Sequence, residues 1–446
     1  MARILSRRSC TSSANIRVSF RACASPSFSK PMMWKTSKKR KKDGQWIPVK
    51  PLLNAFIINI GDSMETNLAD DEEWNIPKHR TTRNNPVDAM ELNSLPVPSV
   101  QEIVKEGLKS VPERYIRPHH ERPIFSSSTT PFPEIPVIDL SKLLSQDLKG
   151  SELEKLHHAS KEWGFFQLIN HGVSNYLMES MKRGVEKLFN LGMEEKKKFG
   201  QREGDIEGYG QMFVVSDEQK LEWADVFYIL TLPSQMRKQH LFSNLPLPFR
   251  DDLETYSLEL KNLAIQMVDL MAETLDVDSK EMRELFGEGA QSMRMNYYPP
   301  CPQPELVMGL NPHSDAGGLT ILLQANELEG LQIKKDGLWI PIKPLPNAFI
   351  INIGDMLEMM TNGIYRSIEH RATVNSDKER LSIATFYGPS RDRSFGPATS
   401  LITAKNPAVF KTIGVKEFYI GYLGHELRGK SYLDTLRIHN ESHKSS

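Results

Sequence analysis

The distribution of apolar positions changes character near residue 290. Before it the dominant period is helical. Asp251 to Leu275 places Tyr256, Leu260, Leu263, Met267 and Leu270 three to four residues apart, the spacing of one face of a long amphipathic helix. Its methionines read as core filler. Gly150 to Trp163 predicts a shorter helix, Ser174 caps another running towards Lys197, and Ser99 caps a short one after Pro96-Val-Pro. Between them, Ile135-Pro-Val-Ile-Asp-Leu and the run after Gly164 predict strands, while the Pro- and Ser-rich residues 118–136 read as a linker. After 290 the pattern is of seven short strands: Ser292–Tyr298, Leu319–Gln324, Leu331–Lys334, Trp339–Ile342, Ala348–Ile353, Tyr365–Val374 and Leu381–Tyr387. Asp336-Gly337 is a hairpin signal between two of them. Strands at this spacing predict a sandwich, barrel or jelly roll rather than a parallel sheet, with Val415–Glu426 as a covering helix.

Ahead of Leu95 the chain is of another kind. Lys41 to Glu65 (KKDGQWIPVKPLLNAFIINIGDSME) repeats Lys334 to Glu358 (KKDGLWIPIKPLPNAFIINIGDMLE) at an offset of 293, with 20 of 25 positions identical. A single copied fragment is not a repeat architecture, which stacks several units. It predicts a hairpin turn at Asp43-Gly44 and a strand from Ala55 to Ile60, and an isolated hairpin is marginal in water. Residues 1–90 are therefore read as an appendage, disordered or the product of a duplicated exon or mis-joined gene model, with Met64 and Met90 as alternative starts. The expected division of the remainder is an N-terminal region 91–250, linking helices 251–289, a core 290–390 and a helical cover and tail 391–446.

Charge sharpens that boundary. Residues 1–42 hold 12 Lys/Arg and no acidic residue, which leaves 44 basic against 56 acidic residues elsewhere, a net charge of −12. An acidic body argues against a nucleic-acid surface. The Arg- and Ser-rich start suits a plastid transit peptide and Lys38 to Lys42 a nuclear signal, but such runs are commonly just solvated, and the cytoplasm is the expected compartment. No run of about 18 apolar residues predicts a membrane span. Cys10, Cys23 and Cys301 make no disulfide framework and no cysteine zinc site. A monomer acting on a small molecule is expected.

The candidate chemistry lies in Asn311 to Gln324. His313 and Asp315 are two apart, so on an extended strand both side chains would share a face. His370, in Ser-Ile-Glu-His-Arg, is the candidate third ligand. Two imidazoles and one carboxylate leave positions open on an octahedral ion, which suits non-haem Fe(II) and O2 chemistry. A structural zinc would be closed by four ligands, and a catalytic zinc would need a general base, for which no His-Glu-x-x-His helix is present. Arg380 and Ser382 also share a strand face and form a carboxylate clamp, to which Tyr298 could add a phenolic hydrogen bond, with Asn296 on the same face. His171 reads as an ordinary core histidine, and His119, His120, His157 and His158 carry no partner pattern.

These residues resemble the plant 2-oxoglutarate- and Fe(II)-dependent dioxygenases. The shared pattern is His-x-Asp, a His 55 residues beyond that Asp, and Arg-x-Ser ten further on. Asn296-Tyr-Tyr-Pro-Pro-Cys-Pro-Gln-Pro-Glu, Trp163-Gly-Phe-Phe-Gln-Leu-Ile-Asn-His-Gly, Gly208-Tyr-Gly-Gln and Gly354-Asp are also similar to that family, most closely its senescence-related and codeine O-demethylase-like branch. The resemblance runs from about Pro96 to about Leu436 and leaves out residues 1–90. It implies an α+β fold: a double-stranded β-helix (jelly-roll) core, flanking helices and an N-terminal α/β region. It implies Fe(II) on His313, Asp315 and His370, and 2-oxoglutarate on Arg380, Ser382, Tyr298 and Asn296, with O2 and ascorbate as further requirements. The reaction would release succinate and CO2 while hydroxylating, demethylating or desaturating a small specialised metabolite. An ascorbate-dependent oxidase without 2-oxoglutarate and a non-catalytic binding protein are the alternatives. Phe213 and Phe386 are expected to shape the substrate pocket.

Overall fold

The structure, a computed structural model, describes residues 38–40, 46–48, 94–123, 132–202, 205–424 and 429–438. The chain divides into two units, 1–83 and 84–446. In the first, strands β1 (Lys38–Arg40) and β2 (Trp46–Pro48) pair antiparallel, as a hairpin across Asp43-Gly44 requires. The turn itself and the predicted strand Ala55–Ile60 lie outside the described residues. Lys38 stands opposite Pro48, whereas in the parent segment Gln332, the counterpart of Lys39, stands opposite Pro341. The pairing of the copy is thus one residue out of register with that of its original.

Besides a short antiparallel pairing of Ser394–Phe395 with Ile413–Gly414, the second unit is built on two sheets. Its strands are β3 (Val137–Asp139), β4 (Phe165–Ile169), β5 (Gly208–Gly210), β6 (Asp225–Leu232), β7 (Ala290–Tyr298), β8 (Leu310–His313), β9 (Leu319–Gln324), β10 (Leu331–Lys335), β11 (Leu338–Pro341), β12 (Phe349–Ile353), β13 (His370–Ala372) and β14 (Arg380–Gly388). The large sheet runs β3-β4-β12-β9-β14-β7-β6-β5 and the small one β11-β10-β13-β8. The β3–β4 pair is parallel, and the other pairs in these two sheets are antiparallel. This is the jelly roll, and the α+β class, that the resemblance implied.

Alternation along the strands makes two cores. In β9 the odd positions Leu319, Ile321 and Leu323 join the helix-side core, with Tyr256, Leu260, Leu263 and Met267 of the helix Phe249–Thr274. Leu322 points the other way and joins Leu331, Ile333 and Ile340 of the small sheet with Phe165 and Ile350 between the sheets. Strand β12 is covered on both faces, which explains why it is apolar at four of its five positions. Its one polar residue, Asn352, shares the inter-sheet face with Ile350.

Several expected bounds change. Residues 310–313 form a strand, although their Asn-Pro pair hid it. The strand expected over Tyr365–Val374 shrinks to β13. The helix after Ser174 ends at Phe189 and a separate one covers Met193–Lys197, because Asn190 and Gly192 favour a break. The helix Lys149–His158 widens into a π turn over Ala159–Trp163 and stops at Gly164, whose φ of 61° and whose absent Cβ, which would lie 2.1 Å from Arg366 O, both demand glycine. Ser99 caps Val100–Lys105 as expected. Among the described residues no helix is long and apolar enough to cross a membrane.

Candidate active site

His313 ends β8 and His370 opens β13 directly opposite it, with ring centres 4.2 Å apart. Asp315 lies beyond the strand, in the loop that carries the chain from the small sheet to the large one. The expectation that His313 and Asp315 share one strand face is therefore corrected: the loop, not a two-residue period, swings the carboxylate back. Asp315 Oδ1 comes to 3.5 Å from His313 Nε2 and 3.7 Å from His370 Nε2. One donor atom from each of the three buried residues lies within 4.8 Å of the others, the separation one cation can bridge.

The surroundings aim these donors. His313 Nδ1 is 2.7 Å from Asn311 O and His370 Nδ1 is 3.0 Å from Ile368 O. A carbonyl only accepts, so each Nδ1 carries the proton and each Nε2 offers its lone pair inward. Asp315 Oδ2 accepts from Thr320 Oγ1 at 2.6 Å and Asn352 Nδ2 at 2.7 Å, leaving Oδ1 for the centre. Burial would raise the Asp315 pKa, but His370, His313 and the Thr320 hydroxyl outweigh it and hold the carboxyl well below its usual range. Burial, reinforced by His313 and opposed by Asp315, pushes His370 down to about 4. Ionised carboxylate and neutral imidazole are the forms that bind a divalent metal.

Gly354 seats this loop. A Cβ there would lie 2.1 Å from Gly317 O and 3.1 Å from Asp315 O. Gly354→Ala is therefore expected to push residues 315–317 out of place and weaken Fe(II) binding by about tenfold or more, read by metal titration against melting temperature. An unchanged iron affinity would show the loop to be free of this contact.

Arg380 stands opposite Tyr298 in the β14–β7 ladder, and Ser382 opposite Asn296. The Arg380 guanidinium is buried, 5.1 Å from the Tyr298 ring centre, and donates through Nη2 to Gln324 Oε1 at 3.0 Å. Its Nε has no partner, and neither has Asn296 Oδ1, while Asn296 Nδ2 reaches Ser382 Oγ at 3.4 Å. A buried cation with an idle N–H fits a planar anion such as the 2-oxoglutarate carboxylate. One cavity is lined by the His313, Asp315 and His370 cluster, by these four residues and by Phe213 and Phe386. Its wall continues through Tyr422 of the helix Val415–Leu423, whose hydroxyl donates to Ser314 O at 2.7 Å.

His171 is the satisfied core histidine expected: Nδ1 accepts from Val173 N and Nε2 is 3.0 Å from Asn347 O. Sequence reasoning missed Thr320, Asn352, Glu222 and Arg294. Arg294 was within reach, since it shares the two-residue period of Asn296 and Tyr298. Glu222, which accepts from Asn311 N at 3.0 Å and lies 3.4 Å from Arg294 Nη2, carries no local signal.

Residues 289–389 match the 2OG-Fe(II) oxygenase superfamily, and residues 135–246 match the non-haem dioxygenase in morphine synthesis N-terminal family. The fold and the site thus define the class: the chain belongs to the 2-oxoglutarate- and Fe(II)-dependent oxygenases. It is 57% identical over 347 residues to the oxoglutarate-dependent flavonoid 7-O-demethylase 1 of Ocimum basilicum, covering 78% of this chain and 92% of the relative. It is 52% identical over 351 residues to the codeine O-demethylase of Papaver somniferum, covering 78% and 97%. The crystal structure of JOX2 in complex with 2OG, Fe and JA superposes with a TM-score of 0.71 at 34% identity, over 77% of this chain and 99% of that one. The protein is a plant-type 2-oxoglutarate-dependent dioxygenase that uses Fe(II), 2-oxoglutarate and O2, with ascorbate as reductant, on a small molecule. The alternatives, an ascorbate-only oxidase and a non-catalytic binder, give way to it.

Proposed function

We propose that the chain removes methyl groups from small aromatic methyl ethers. In this reading His313, Asp315 and His370 hold the iron, and Arg380 and Ser382, with Tyr298 and Asn296, hold 2-oxoglutarate. The observation that carries the assignment is the convergence of two Nε2 atoms and one carboxylate oxygen in the same cavity as a buried guanidinium with an idle N–H. When bound, iron with 2-oxoglutarate and O2 supplies the oxidising power for one substrate C–H bond, releasing succinate and CO2. The chain's own work is placement. Thr320 and Asn352 fix the carboxylate, two backbone carbonyls fix the imidazole tautomers, and Phe213, Phe386 and Tyr422 offer aromatic walls that exclude water from a planar substrate.

Demethylation is favoured because three relatives more than half identical to this chain are O-demethylases by name, of a flavonoid, of codeine and of thebaine. A hydroxylated methyl ether collapses to a phenol or alcohol and formaldehyde. Protein supplied with Fe(II), 2-oxoglutarate and ascorbate is expected to release formaldehyde and succinate in equal amounts from a member of a methyl-ether panel that includes methoxyflavones and codeine. Succinate accompanied by a product one oxygen heavier, without formaldehyde, would replace demethylation with hydroxylation.

Residues from 94 onward carry the activity in this reading. Ser94 Oγ donates to Gln211 O and Leu95 N to Val214 O, so a chain starting at residue 90 keeps these first contacts. Such a protein is expected to retain activity within about twofold and its melting temperature within about 2 °C. A larger loss in either would give the duplicated segment a part in the fold.

A further inference from the structure

We propose that Arg294, with its charge answered by Glu222, is the substrate-reading donor of the cavity and selects a neutral oxygen acceptor, a ring carbonyl above all, over an anionic group. The inference rests on the proposed demethylase function for the kind of substrate and deepens it.

Alternation along β7 sends Ser292, Arg294, Asn296 and Tyr298 into the cavity, opposite Phe386, Ala384, Ser382 and Arg380 of β14. Arg294 is four residues from Tyr298, or about 13 Å along the strand, and so lies beyond Asn296 from the Arg380 end of the 2-oxoglutarate clamp. Small Ala384 on one side leaves room for its guanidinium, and Tyr228 flanks it on the other. The residue is only 5% exposed, and its Nε has no partner. Nη2 lies 3.4 Å from Glu222 Oε2, and Glu222 Oε1 is already engaged by Asn311 N.

Two buried arginines thus line one cavity and differ in counter-ion. No carboxylate among the described residues contacts Arg380, so its seat calls for an anion. Arg294 has Glu222 beside it, and a second carboxylate there would meet that negative charge in a low dielectric. A neutral carbonyl, phenol or ether oxygen can take the idle N–H without that penalty, and an unanswered buried donor is itself costly. Arg391 also lines the cavity, but it is exposed, so water and salt screen it.

The test is calorimetric binding to the full chain loaded with Mn(II) and 2-oxoglutarate, which prevents turnover. The probes are 7-methoxyflavanone, 7-methoxyflavan, which lacks only the ring carbonyl, and the corresponding flavan-4-carboxylate. The wild type is expected to bind the flavanone about tenfold or more tighter than either of the others. Arg294→Met should erase that preference while 2-oxoglutarate binding changes less than about twofold. If the single variant misfolds because Glu222 is left unpaired, Arg294→Met with Glu222→Gln removes both charges and should show the same loss. A wild type that binds flavanone and flavan alike, prefers the carboxylate or binds none of the three overturns the proposal, as does a variant that keeps the preference. Carbonyl-selective binding without formaldehyde release would sink demethylation alone, whereas formaldehyde release without carbonyl preference would sink the role of Arg294 alone.

Discussion

Asp315→Ala is expected to abolish succinate formation, by about a thousandfold or more, in a protein that still folds. Asp315 Oδ1 lies within 3.7 Å of both imidazole Nε2 atoms, so its loss leaves two neutral donors and no charge to hold the cation. His313→Ala should have a similar effect, since it removes one of those two donors. The fold should survive because the change is confined. Thr320 Oγ1 and Asn352 Nδ2 lose their acceptor, at about 1–3 kcal/mol each, while a buried charge disappears from the same spot. Iron content, succinate release and a melting curve measured on one preparation separate the outcomes. A folded variant that kept more than a few per cent of turnover would place the iron elsewhere.

The parts of this site that were legible in the sequence are those set by a local period. Arg380 and Ser382, and Asn296 and Tyr298, are i, i+2 pairs in β14 and β7, and the strand period alone puts each pair on one face. What escaped depends on the pairing of distant segments or on loop conformation. Nothing near Thr320 or Asn352 says that they will meet Asp315, because the contacts arise from the β12–β9 register and from the path of residues 314–318. Glu222 is further removed still, reaching Asn311 across 89 residues. The His-x-Asp spacing pointed to this pair for a reason the structure replaces. The strand stops at His313, and the tight seat of Gly354 against Gly317 returns the loop towards the two imidazoles.

Arg380→Met should raise the 2-oxoglutarate concentration needed for half-maximal rate by about a hundredfold or more, with a far smaller change in the KM for the organic substrate. The asymmetry follows from position. Arg380 sits at the Tyr298 end of the ladder, four residues along β7 from Arg294, so removing it empties the anion seat and leaves the substrate wall intact. The consequence for stability has an unusual sign. Most buried charges stabilise through a partner that a mutation strands, but the Arg380 guanidinium contacts no carboxylate among the described residues and has an idle Nε. Without 2-oxoglutarate it is a desolvated cation, and methionine of similar length should melt no lower than the wild type. Adding 2-oxoglutarate with Mn(II) should stabilise the wild type by about 2.7 kcal/mol at a hundred times its Kd and the variant hardly at all. Arg380→Lys should fall between them, since it keeps the charge and loses the planar fork. An Arg380→Met protein that still gained the full melting shift would mean that the co-substrate carboxylate is held elsewhere. Arg294 is the other buried guanidinium lining this cavity, and Glu222 beside it makes that seat a poor one for an anion.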